Sequence, residues 1–191
     1  INLLQFAYTQ YFINNTIEGE FQKADYIATR NYTNNLDVES FVDWWIVQEL
    51  TGNPQPGEPE GVFMYKDRHN KLKAGPVWGF DRETFTDHYE GSFVAKNSLW
   101  YARLFADPAF VNTLKTRWNY LKPQFDQIPG IIEGEAALIR NSSDINIQLW
   151  PLKDALAVNS DEQLSFDDAV VRMKEKYQTR LNWLDTNING L

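Results

Sequence analysis

The sequence predicts an α+β domain, mainly helical, with one β-hairpin. Three observations predict it. Apolar residues recur at steps of three and four in several long segments, the mark of helices with one buried face. The stretch Phe41, Val42, Trp44, Trp45, Ile46, Val47 and Leu50 leaves almost no polar face, so this helix should be wrapped by other elements. Two short β-prone runs, Val62 to Lys66 and Leu72 to Val77, flank the turn formers Asp67 to Lys71.

Residues 2 to 14 carry Leu4, Tyr8 and Tyr11/Phe12 at helical spacing, and a short helix is expected near Glu18 to Ala24. Asp37 is a good N-cap for the apolar helix, and Gly52 is placed to end it with a left-handed residue. Pro54, Pro56 and Pro59 then hold an extended loop, because each fixes φ and restricts the residue before it. Pro76 lacks an amide donor, so the second strand is an edge or stops there. A helix is expected over about 97 to 105, and Asp107-Pro108 opens the next one, with Asp as cap and Pro at the first position. Phe110, Val111, Leu114, Trp118, Leu121 and Phe125 give that helix a wide apolar stripe, which Pro123 should kink or end. A helix over 129 to 141 and a short one over 145 to 150 follow. Ser165 and Asp168 resemble a capping box for the last helix, whose stripe runs Phe166, Val170, Met173, Tyr177, Leu181, Leu184, Ile188.

At 191 residues the chain suits one well-buried domain, 1–191, and the 15% aromatic content reads mainly as its core. It begins at Ile1 without Met or signal peptide, which reads as a fragment of a longer domain or a processed product. No apolar run approaches the ~20 residues that cross a bilayer. A net charge of −8 with scattered basic residues argues against nucleic acid as a partner. The absence of cysteine excludes disulfides, thiol catalysis and Cys-ligated zinc. The two histidines, His69 and His88, suggest neither a metal pair nor a catalytic triad, and the glycines are too isolated for a phosphate loop. Glu49, near the end of the buried helix, is expected to be ion-paired, with Arg103 or Lys73.

The blocks DVESFVDWWIVQELTGN, FMYKD and KLKAGPVWGFD, in that order and spacing, resemble the spore-coat protein H (CotH) kinase family. LFADPAFVNTLKTRW and the segment around IRNSS continue the likeness, which covers roughly residues 31 to 151. It implies the C-terminal part of an atypical protein-kinase-like fold, an extracytoplasmic location, and phosphate transfer from ATP with magnesium to secreted or surface proteins. Such chemistry needs carboxylates to hold magnesium and something to orient the attacking hydroxyl.

Carried over by residue, the pattern like Asn-x-Asp after the central helix reads Asn53-Pro54-Gln55. Asn53 matches, but Gln55 stands at the catalytic carboxylate's position, and a neutral amide cannot accept the hydroxyl proton. The pattern like Trp-Asp-(Phe/Tyr)-Asp reads Trp78-Gly79-Phe80-Asp81, so Gly79 replaces one acid. Asp81 remains as a metal ligand, with Glu58 or Glu60 from the loop as substitutes, and one carboxylate alone is a poor magnesium site. Lys66 and Asp67 are the candidate cofactor-binding residues, weighed against a plain turn at the strand end. Three readings follow. The chain is degenerate in phosphotransfer and acts as a binding or scaffolding module; or it is an active ATP-dependent kinase; or it binds carbohydrate or peptide through exposed aromatics.

Overall fold

In the computed structural model, residues 2–54, 56, 62–80, 84–85, 91–150 and 164–191 are described. The chain opens with α1 (Leu3–Tyr11), closed at its start by a capping box between Asn2 and Gln5. It widens into a π-helical turn (Phe12–Ile17) that buries Phe12 and Ile17, then continues as α2 (Glu18–Gln22), α3 (Tyr26–Thr29) and a 3₁₀ turn (Asn31–Asn34).

The central helix α4 (Val38–Thr51) starts as its sequence demands, with the Asp37 side chain accepting the Ser40 amide at 3.1 Å. It is covered by β2, α6 and α8. Its carbonyls and rings are met from several directions: the Tyr101 hydroxyl donates to the Phe41 carbonyl at 2.8 Å, Trp44 stacks on Tyr101, and Trp45 contacts Phe93 and Phe105. Burial of this many large side chains, at roughly 1.5–3 kcal/mol each, makes α4 the core around which the rest closes.

The hairpin is shorter than its β-prone runs. Strand β1 (Met64–Tyr65) pairs antiparallel with β2 (Lys73–Ala74), Met64 opposite Ala74. The ladder stops at Gly75, whose amide reaches the Phe63 carbonyl at 3.0 Å, because Pro76 has no donor to extend it. Leu72 and Ala74 tie the second strand to the start of α4: the Asp37 amide donates to the Leu72 carbonyl at 2.8 Å and the Ala74 amide to the Ser40 hydroxyl at 3.2 Å.

Helix α5 (Tyr101–Leu104) is shorter than the expected 97 to 105, since Leu99 takes a left-handed φ of 49° that a helix cannot continue through. Helix α6 (Pro108–Phe125) starts on Asp107 and ends two residues after Pro123. Helix α7 (Ile128–Leu149) corrects the expected pair of helices, running unbroken through Asn141-Ser142-Ser143. Those residues cost only tenths of a kcal/mol each in a helix interior, too little to break one. Helix α8 (Phe166–Asn189) returns along α7 and then docks on α4 and α6. Its stripe divides: Tyr177, Leu181, Leu184 and Ile188 are buried in the core, while Phe166, Val170 and Met173 line an open apolar groove with α7.

Asp107 does more than cap α6. Besides the Ala109 amide it accepts the Tyr32 hydroxyl and the Arg30 guanidinium, which joins the N-terminal turns to α6. Burial pushes its carboxyl up, but the Tyr32, Ala109 and Arg30 donors outweigh that and hold it below the usual carboxylate range. A depressed folded value gives stability that is complete above the unfolded pKa of about 3.9 and lost as pH falls through the folded value. Urea midpoints measured from pH 6 down to pH 2.5 should therefore fall with acid, and Asp107→Asn should flatten part of that fall. An unchanged slope in the variant would show that Asp107 carries none of it.

Candidate functional site

Of the residues singled out from the sequence, Asn53 lies at the C-terminal end of α4, where the backbone is turned by glycine. Gly52 takes φ 63°, and its amide caps the helix on the Gln48 and Glu49 carbonyls, turning the chain sharply outward. Asn53 follows, fully buried, with its amide nitrogen giving 2.8 Å to Gln48 Oε1 and 3.5 Å to the Trp78 carbonyl. That second bond joins the helix end to the segment leaving the hairpin. The same end is held again by the Phe85 amide, which donates to the Thr51 carbonyl at 3.0 Å. The Thr84 hydroxyl reaches the Phe80 carbonyl at 2.7 Å.

Asn53 and Trp78 are brought together. Gln55, Glu58, Glu60, Asp81, Arg82 and His88 lie outside the described residues. Lys66 and Asp67 sit elsewhere, at the turn end of the hairpin, opposite the root that holds Asn53 and Trp78. The Lys66 ammonium lies over the Tyr8 and Phe12 rings, 5.8 and 5.2 Å from their centroids, and Asp67 is exposed. Gly79 has φ 75°, a left-handed conformation that disfavours side chains other than Asn and Asp. Trp78 is 62% exposed and meets Phe63 edge-to-face. Among the described residues no three His, Cys, Asp or Glu side chains cluster as a metal site would require.

One turn before Asn53 stands a charge that sequence reasoning paired wrongly. Glu49 is wholly buried, and its partner is Arg180 of α8, at 2.6 Å. Arg103 instead lies over the Tyr26 ring, and Lys73 lies 3.8 Å from Asp37. The reason is geometric. Arg180 also donates to the Glu49 and Ser92 carbonyls, at 2.7 Å each, and the carboxylate takes the Val94 and Ala95 amides at 2.9 and 2.7 Å. Only a guanidinium offers donors in so many directions. Burial pushes the Glu49 carboxyl up, to about 7, while the two amides and the guanidinium hold it down. The pair therefore pins residues 92 to 95 to the same helix end that carries Asn53. A charge at position 180, inside an otherwise apolar stripe, was the signal in the sequence that could have found it.

Five of the seven tryptophans are buried or partly buried in the core, leaving Trp78 and Trp150 on the surface. No described helix is long and apolar enough to cross a membrane. A family model described as CotH kinase protein matches residues 5–184, well beyond the 31 to 151 over which the motifs resemble it. No curated protein and no solved structure matches the chain. With nearly the whole chain matched, a mainly helical fold carrying one hairpin, and Asn53 set against the residue that follows that hairpin, the chain belongs to the CotH kinase family.

Proposed function

We propose that this CotH-family domain is degenerate in phosphotransfer and serves as an extracytoplasmic binding or scaffolding module. The observation that carries the reading is Gly79. It stands where the family likeness puts an acid, and it has no side chain to ligate a metal ion. Gln55 replaces the other expected carboxylate, and Asn53, the member that matches, is buried with its NH₂ group donating to Gln48 and the Trp78 carbonyl. Asp81, with Glu58 from the loop, would have to hold magnesium almost unaided, and magnesium demands near-ideal octahedral oxygen ligation. The neighbouring surface supports binding instead. Trp78 and Phe63 form an exposed aromatic pair at the root of the hairpin, the kind of platform on which peptide or sugar stacks.

Calorimetric titration of Mg·ATP and Mn·ATP into the protein tests the proposal, with Asp81→Ala as control and radiolabel transfer to acceptor proteins run in parallel. The expected result is no transfer, with any weak nucleotide heat unchanged by Asp81→Ala. Transfer that Asp81→Ala abolishes would overturn the reading and establish an active kinase working with an unusual acid set.

A further inference from the structure

Away from Asn53, the hairpin turn and α1 enclose an open cleft of about 770 Å³. Lys66, Asp67, Arg68 and His69 form one wall; Asn2, Leu4, Gln5 and Tyr8 form the other. Its chemistry is one-sided. Helix α1 carries no charged residue, so it offers the turn no carboxylate. The capping box uses the side-chain oxygens of Asn2 and Gln5 as acceptors, which leaves their NH₂ groups to act as donors. Lys66 donates to the Asp67 carbonyl and rests on aromatic faces, and among the described residues no carboxylate pairs with Lys66, Arg68 or His69. Asp67 is the lone acid on either wall. In a chain of net charge −8, such an excess of cations and donors around one cleft is local, and it is unmatched among the described residues. The turn also holds His69 at φ 69°, a conformation in which most side chains are disfavoured.

We propose that this cleft binds a phosphorylated serine or threonine carried on a peptide. A phosphate group brings close to two negative charges and three acceptor oxygens, which suits a guanidinium, an ammonium, an imidazole and two amide donors better than a single carboxylate does. The cleft exceeds the needs of a bare phosphate ion, and Leu4 and Tyr8 supply an apolar wall for the residues flanking the modified one. The site is separate from the hairpin root, and its occupation requires no nucleotide there.

Fluorescence anisotropy tests it with a labelled phosphoserine peptide, its unphosphorylated copy and inorganic phosphate as competitor, all without nucleotide. The phosphopeptide should bind at least about tenfold more tightly than its copy, a gap of about 1.4 kcal/mol. Arg68→Gln with His69→Gln should weaken it by about tenfold or more, with thermal melting unchanged because both side chains are exposed. Asp81→Ala should bind as the parent does, which keeps this result distinct from that of the nucleotide titration. Equal binding of the two peptides, or undiminished binding by the double variant, would overturn the proposal. Competition by inorganic phosphate at the phosphopeptide's own affinity would overturn the peptide as the ligand.

Discussion

Replacing Arg180 with Met is expected to destabilise the domain by about 3–5 kcal/mol, the usual loss when one partner of a buried ion pair is removed. Glu49 would remain wholly buried, still fixed by the Val94 and Ala95 amides but without its counter-charge, and the Ser92 and Glu49 carbonyls would lose their guanidinium donors. The sign of the pH dependence follows. Burial already raises the Glu49 carboxyl to about 7, and loss of the cation raises it further. A folded pKa above the unfolded value of about 4.3 gives stability that is complete below that value and lost as pH rises through the folded one. The deficit of Arg180→Met relative to the parent should therefore be larger at pH 8 than at pH 5. Urea unfolding at the two pH values measures it. Adding Glu49→Gln should restore part of the loss at pH 8, since the buried charge is then gone. A deficit that is small and independent of pH would mean that α8 is held by its apolar face alone.

Trp118→Ala should lower stability by a similar amount, about 3–5 kcal/mol, through the cavity it leaves. Trp118 is fully buried on α6, packs on Phe125, and donates its indole N–H to Asp185 of α8 at 2.8 Å. Trp78→Ala, by contrast, should stay within about 0.5 kcal/mol, as surface substitutions do. Thermal or urea denaturation separates the two.

Much of this architecture could be read from the residues, and for identifiable reasons. The Asp37 cap, the left-handed Gly52 and the Asp107-Pro108 start are local devices, each decided by one or two side chains next to the backbone they fix. The wrapped helix α4 was legible because its apolar residues lie on every face. What local signals could not show was distance. Glu49 needed Arg180 from the last helix rather than a nearer cation, and the capping Asp107 proved to collect Tyr32 and Arg30 as well. The unbroken α7 was missed because Asn-Ser-Ser reads as a stop only when no neighbouring helix supports it. In the candidate site, the contact of Asn53 with the Trp78 carbonyl joins two blocks that the sequence marked only separately, and the far position of Lys66 and Asp67 follows from hairpin length. Such a length is poorly marked in a sequence whose β-prone runs outlast the actual strands.

The wrapping of α4 has a consequence for how the chain comes off the ribosome. Its closing partner, Arg180, is 131 positions further along, so at 5–20 residues per second the helix emerges on the order of ten seconds before α8 can cover it. During that interval β2 and α6 can already cover part of the helix, but the face that α8 closes stays open. The domain is then most exposed to aggregation while it is being made, and its yield should depend on holdase chaperones far more than its final stability suggests.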